Sequence, residues 1–234
     1  MKALTILIPI FNEEKTLPLL LKQLAELPAG LYEECVFVDD GSTDGSSAIL
    51  NRLTKNLGIP NQIISQDNKG KAGAIKAGSK VLRTSHVVIL DSDLELVTTD
   101  IIQMWAVVLS GESDFVFGYR AFLSHSSFTW RYSRGNQLIS NLYGVLFNEV
   151  VTDIMCGYKL IPSDFLVELP FKYRKFGLEI EIPMHMWTKR LRPYEIGVAY
   201  KARTRSEGKS ISVKDAIHII VSLAMFRVTH KRTI

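Results

Sequence analysis

Short apolar runs that end in paired acids set the tightest limit on what this chain can become. Cys35-Val36-Phe37-Val38 leads into Asp39-Asp40, and Val87-Val88-Ile89-Leu90 leads into Asp91-Ser92-Asp93. Brief apolar runs rich in β-branched residues read as strands buried on both faces, the habit of a parallel sheet. In an open α/β sheet, ligands bind beyond the carboxyl ends of such strands. Carboxylates crowded there need a cation or hydrogen-bond donors, because burial and neighbouring like charge both oppose ionisation. Asp91 and Asp93 flank one small residue, so both can offer oxygens to one hard cation, Mg²⁺ or Mn²⁺. Such a cation takes phosphate oxygens as further partners, and the pattern points to phosphate chemistry.

Strand and helix alternate through the first half. Leu4 to Ile10 reads as a strand and Thr16 to Leu27 as a helix, with Pro18 admissible in its first turn. After the strand Cys35 to Val38, the turn Asp40-Gly41-Ser42-Thr43-Asp44-Gly45 supplies side chains that can cap a helix running to about Asn56. Gln62 to Ser65 reads as a strand, Gly70 to Leu82 as a helix and Val87 to Leu90 as a strand. Thr98-Thr99-Asp100 caps a helix to Leu109, and Phe115 to Phe117 is a further strand. This order predicts a Rossmann-like three-layer α/β/α sandwich on a mostly parallel sheet with right-handed crossovers. No G-x-G-x-x-G follows the first strand, and Gly208-Lys209-Ser210 has Arg203 where a P-loop needs its first glycine.

With 234 residues and no Pro/Gly/Ser-rich linker, the chain reads as one domain. Its 28 Lys and Arg against 24 Asp and Glu leave a formal charge of +4, with many basic residues late in the chain. That asymmetry suits an anionic ligand or membrane surface, although solvated surface charge also accounts for much of it. No zinc spacing or nucleic-acid motif accompanies it. Cys35 and Cys156 are far apart and read as reduced, buried thiols, which suits the cytoplasm. Pro9, Asn12 and Glu13 cut short the first apolar run, which reads as a strand and not a signal peptide. The run Ala216 to Phe226 is well short of the roughly 20 residues a spanning helix needs.

Five segments in order carry a resemblance: Pro9-Ile10-Phe11-Asn12-Glu13-Glu14, Asp39 through Ser46, Asn68-Lys69-Gly70, Asp91-Ser92-Asp93-Leu94-Glu95 and Phe117-Gly118-Tyr119-Arg120. Together they resemble glycosyltransferase family 2, and within it the dolichyl-phosphate mannose and glucose synthase branch, the polyprenyl-phosphate glycosyltransferases. The segments Asp153 through Lys159, Phe176 through Glu181 and Arg203 through Lys209 are similar to that branch too, so the likeness covers roughly 4–215. It implies one GT-A domain over 1–234, with a nucleotide-sugar half to about 118, an acceptor half over about 119–212 and an amphipathic segment at 213–234.

The same resemblance implies roles. Pro9, Phe11, Glu13, Val38, Asp40, Lys69, Asp91 and Ser92 would hold the nucleotide diphosphate sugar. Asp91 and Asp93 would bind Mg²⁺ or Mn²⁺ on the diphosphate, with Glu95, where the branch often has Gln, completing or orienting the site. Arg120, Arg203 and Lys209 would face phosphates, an Arg fork and a compact Lys charge both suiting phosphate oxygens. Arg131, Ser133 and Arg134 would grip an acceptor phosphate. Taken singly, Glu13 also reads as a helix N-terminal charge and the basic residues as surface charge.

The activity implied is inverting transfer of a hexose from a UDP- or GDP-sugar to a polyprenyl or dolichyl phosphate. A phosphate acceptor is already ionised and needs no general base. A glycan hydroxyl, the rival acceptor, needs one, for which Asp153, Glu179 and Glu181 are candidates. The Q-x-x-R-W signature of processive synthases is absent. A non-catalytic membrane-surface module is the reading from another class, against which the intact Asp91 and Asp93 count. Ile217, Ile220, Val221, Ala224 and Met225 fall on one helical stripe followed by Arg227, Lys231 and Arg232. That segment either attaches the protein peripherally to the cytoplasmic membrane face or packs on the core with a frayed tail.

Overall fold

The computed structural model describes residues 2–56, 58, 60–120, 130–173, 177–201 and 213–232, and the side chains of 56, 130–132 and 213 lie outside that description. Seven strands form one sheet: β1 (Leu4–Ile10), β2 (Glu34–Asp39), β3 (Asn61–Ser65), β4 (His86–Ile89), β5 (Val116–Arg120), β6 (Lys159–Pro162) and β7 (Tyr194–Val198). Their spatial order is β3-β2-β1-β4-β6-β5-β7. All neighbours run parallel except β6, which lies antiparallel between β4 and β5. This is the mostly parallel α/β arrangement that the alternation of strand and helix predicts.

Helices cover both faces. One core joins Leu4, Ile6, Ile8 and Ile10 of β1 to α1 (Leu17–Ala25), α2 (Ser46–Leu53) and α4 (Asp100–Ser110). The other joins Leu7, Val36 and Val87 to α3 (Gly70–Ser79), α5 (Trp130–Phe147), α6 (Ser163–Glu168), α7 (Gly177–Thr188) and α8 (Val213–Thr229). Alternate residues of β1 thus enter opposite layers, as the pleat requires.

Several boundaries differ from the sequence expectation by one to three residues; α1 ends at Ala25, not Leu27, and β5 runs on to Arg120, not Phe117. Helix α3 ends at Ser79, not Leu82, and Lys80 and Val81 continue in three-residue turns on Ala77 and Gly78. There it crosses β1 so closely that a Cβ on Gly78 would lie 2.3 Å from Leu7 Cδ1. Strand β4 starts one residue early, at His86, because it pairs with both Leu4 and Pro162.

Candidate active site

The carboxyl ends of β1, β2 and β3 stand level, with Ile10 opposite Asp39 and Asp39 opposite Ser65. The loops that leave them are knitted together. Asn12 Oδ1 accepts the Thr43 amide at 2.7 Å, Ser46 Oγ accepts the Glu13 amide at 2.8 Å, and Glu14 Oε2 accepts the Gly45 amide at 2.9 Å. The Glu13 carboxylate takes the Thr16 hydroxyl at 2.8 Å, the helix-entry role open to it from sequence. Gly41 has φ +74°, and a Cβ there would sit 2.8 Å from the Asn68 amide nitrogen, so the position excludes any side chain.

Both acids of the first pair are buried and bonded. Asp39 accepts from the Ser42 amide at 3.0 Å and from the Ser47 hydroxyl. Asp40 accepts from Gln66 Nε2 at 2.6 Å, the Lys69 amide at 2.9 Å and the Gly70 amide at 2.7 Å. Asp40 therefore fixes the entry of α3 in this structure. Phe11 and Pro9 are half-buried at the end of β1, and the Lys69 side chain is exposed. Val38, by contrast, is fully buried in the core beneath α3, so its side chain contributes nothing to a ligand surface.

The second acidic turn follows Leu90. Ser92 is buried and donates its hydroxyl to the Pro9 carbonyl oxygen at 2.9 Å, which ties the turn to β1. Asp93 Oδ1 accepts the Glu95 amide at 3.0 Å across Leu94, whose φ is +61°. Glu95 Oε2 takes the Tyr200 hydroxyl at 2.6 Å, and its carbonyl takes the Lys201 amide at 2.8 Å. Glu95 thus anchors the strand end that precedes 202–212, the segment with Arg203 and Lys209, which lies outside the described residues.

Asp91 has a partner that the sequence reading missed. Lys71 Nζ lies 2.7 Å from Asp91 Oδ1, 2.9 Å from Oδ2 and 2.9 Å from Glu179 Oε1. Burial alone would lower the ammonium's pKa, but Asp91 and Glu179 outweigh it and hold the group well above the ordinary lysine range. Among the described residues, no three acidic, His or Cys side chains gather into a ready-made metal site. The two hard oxygen donors of Asp91 and Asp93 still fit a divalent cation that takes its other ligands from a diphosphate.

Arg120 and Asp153 form a buried ion pair, with Nε to Oδ2 at 2.6 Å and Nη2 to Oδ1 at 2.8 Å. The Arg120 guanidinium also lies 5.2 Å from the Tyr200 ring centroid. Neither the expected phosphate cation nor the expected base therefore faces open solvent here. Glu181 is fully buried, accepts the Lys172 amide at 2.8 Å, and is pushed above the usual carboxylate pKa by burial. Ser133 is half-buried and Arg134 exposed on the first turns of α5, while the Arg131 side chain lies outside the described residues.

Helix α8 corrects the expectation for its own packing. Ile219, Leu223 and Phe226 form its buried stripe, whereas Ile217, Val221, Ala224 and Met225 from the predicted stripe face outward and Ile220 lies between the two. Nor does the basic tail fray. Arg227 and Arg232 lie over the Trp187 ring at 5.1 and 5.4 Å, Arg227 donates to the Leu146 carbonyl oxygen, and Arg232 pairs with Glu149. Among the described residues, no helix is long and apolar enough to cross a membrane.

Comparison with known proteins agrees with this geometry. The profile of Glycosyl transferase family 2 matches residues 5–169. An uncharacterized glycosyltransferase of Mycobacterium tuberculosis is 27% identical over 207 residues, 88% of this chain and 89% of the relative. The dodecaprenyl-phosphate galacturonate synthase of Rhizobium johnstonii is 26% identical over 171 residues, 71% of this chain and 49% of that protein. Among solved structures, glucosyl-3-phosphoglycerate synthase of M. tuberculosis, in complex with Mn²⁺, uridine diphosphate and glucosyl-3-phosphoglycerate, superimposes with a TM-score of 0.73. That match has 19% identity and covers 98% of this chain and 81% of the other, a likeness of fold. With the family profile spanning well over half of its length, the chain belongs to glycosyltransferase family 2.

Proposed function

We propose that this glycosyltransferase moves a hexose, with inversion, from a UDP- or GDP-sugar to a polyprenyl phosphate, with Mg²⁺ or Mn²⁺ held by Asp91 and Asp93. The observation that carries the reading is the acidic turn, stapled by Ser92 to Pro9 beside the knitted loops at the carboxyl edge of the sheet. Glu13 lies on those loops, where a half-buried carboxylate can accept hydrogen bonds from ribose hydroxyls. Asp40, buried and bonded to Gln66, Lys69 and Gly70, would shape the loop beneath the nucleotide. A bound cation would draw off negative charge from the leaving diphosphate. Arg203 and Lys209 would add fixed positive charge where that charge grows.

A phosphate acceptor is favoured over a glycan hydroxyl. The three carboxylates expected as bases are engaged elsewhere: Asp153 with Arg120, Glu179 with Lys71, and Glu181 wholly inside the protein. An ionised phosphate needs none of them. The relative named for dodecaprenyl-phosphate galacturonate synthesis supports the same acceptor class.

Such an acceptor keeps its chain in lipid, so the catalyst must come to the cytoplasmic membrane face. The outer side of α8 exposes Ile217 (56%), Val221 (48%), Met225 (62%) and Val228 (86%), and neighbouring α5 exposes Leu138 and Val145. An apolar helix face rimmed by the exposed Lys214 and Lys231 suits peripheral attachment to an anionic leaflet. The test is incubation with a panel of radiolabelled UDP- and GDP-sugars and polyprenyl phosphate. Label entering the lipid with one donor supports the reading, and label entering only water-soluble glycans refutes it.

A further inference from the structure

Lys71 stands outside every motif that marks the site, yet it holds the first acid of the metal-binding pair by both oxygens, at 2.7 and 2.9 Å. Its other partner, Glu179, is 5% exposed, and Oε2 of that carboxylate is buried with no hydrogen-bond partner among the described residues. The ammonium is therefore what compensates a buried, half-satisfied carboxylate. Its position is fixed from below and from above. Lys71 lies on the first turn of α3, whose entry Asp40 clamps through the amides of Lys69 and Gly70. Over it passes Gly157, where a Cβ would fall 2.7 Å from Asp91 Oδ2 and 2.8 Å from Lys71 Nζ. Only a glycine leaves the ammonium and the carboxylate room to meet there.

A divalent cation on Asp91 would have to share that carboxylate with a resident positive charge. We propose that Lys71 is an internal competitor for metal at the acidic turn. By this account metal alone binds weakly. A nucleoside diphosphate draws the ammonium off Asp91 onto its own phosphate oxygens, and metal and nucleotide then bind as a coupled pair. The coupling is reciprocal, each raising the other's affinity by the same factor. The proposal rests on the reading that the acidic turn is the donor site.

Mn²⁺ binding followed by electron paramagnetic resonance tests it without any turnover. Wild type, Lys71→Met and Lys71→Arg are titrated alone and with UDP or GDP, the nucleotide–Mn²⁺ complex being measured separately without protein. The wild type is expected to bind Mn²⁺ weakly and to tighten roughly tenfold or more with the matching nucleotide, a coupling of ordinary size. Lys71→Met should bind Mn²⁺ roughly tenfold more tightly without nucleotide and gain correspondingly less from adding it, the diphosphate oxygens still supplying metal ligands, and Lys71→Arg should behave as wild type. Circular dichroism checks the fold, and Lys71→Gln replaces Lys71→Met if the latter unfolds. If the neutral variant binds Mn²⁺ no more tightly than wild type while nucleotide still tightens the wild type, Lys71 is no competitor, although the donor site stands. If neither nucleotide affects Mn²⁺ on any variant, the donor-site reading fails and the coupling with it.

Discussion

The Arg120 guanidinium grips the Asp153 carboxylate at two points, 2.6 and 2.8 Å, and the backbone amide of Arg120 donates to the same carboxylate at 3.3 Å. The fork joins the end of β5 to the loop that precedes β6, the strand that reverses the sheet. Removing one partner of a buried pair leaves the other charge uncompensated, which costs about 3–5 kcal/mol. Arg120→Ala should lower the urea midpoint accordingly. Asp153→Leu combined with Arg120→Met should recover much of the loss. A midpoint within experimental error of wild type for Arg120→Ala would mean that the pair does not hold this corner.

Asp93→Ala should abolish transfer without unfolding the protein. Its carboxylate is half-exposed, and its bond to the Glu95 amide closes only a short local turn. Arg203→Ala and Lys209→Ala should each slow transfer by roughly tenfold or more, since each decade corresponds to about 1.4 kcal/mol of charge stabilisation. Steady-state rates at limiting Mn²⁺ check all three. Wild-type turnover in Asp93→Ala would remove the metal assignment, and normal rates in both basic variants would make them surface charge.

Stability should fall in mild acid through His185. Burial, with smaller contributions from His230 and Lys189, lowers its pKa to about 4. The imidazole therefore stays neutral in the fold while the unfolded chain takes up a proton below about pH 6.5. The stability present above that pH is lost as pH falls towards about 4, a change on the order of 1–3 kcal/mol. Urea titrations across this range should show a shallower pH slope for His185→Gln than for wild type. Equal slopes would assign the acid sensitivity to other groups.

Vesicle flotation addresses the exposed side of α8. The wild type should float with anionic liposomes at low salt and be released as salt rises, because the basic contribution is screened. Replacing Ile217, Val221 and Met225 together by Ser should abolish flotation with no loss of stability, since all three side chains are exposed. Unchanged flotation of that variant would move the membrane contact to another surface.

The first half of the fold was legible because β1, β2 and β4 are apolar runs buried on both sides, each followed by turn residues. The antiparallel β6 was not. It begins with Lys159, whose buried ammonium bonds the Ile154 and Cys156 carbonyl oxygens, and it ends in Pro162, so no apolar run announces it. Helix α7 is buried on nearly every side and carries Pro183, which erases the helical period. In the candidate site, the sequence marks Asp91 and Asp93 by their place after a strand, but it presents Lys71 as one basic residue among many. Its place one residue after the Asn68-Lys69-Gly70 loop, on the first turn of α3, was the signal available. The outward stripe of α8 was visible, whereas its inner stripe was masked because the helix is apolar on two sides.

The central claim is transfer to a phosphate group on a lipid. The most direct measurement supplies polyprenyl phosphate and, in parallel, the matching polyprenol to the full-length protein with Mn²⁺ and its labelled nucleotide sugar, followed by mass spectrometry of the extracted lipid. The account predicts a single hexose added to polyprenyl phosphate, nothing added to polyprenol, and neither product with Asp93→Ala. Transfer to the polyprenol at a similar rate, or label found only on a water-soluble glycan, would contradict it.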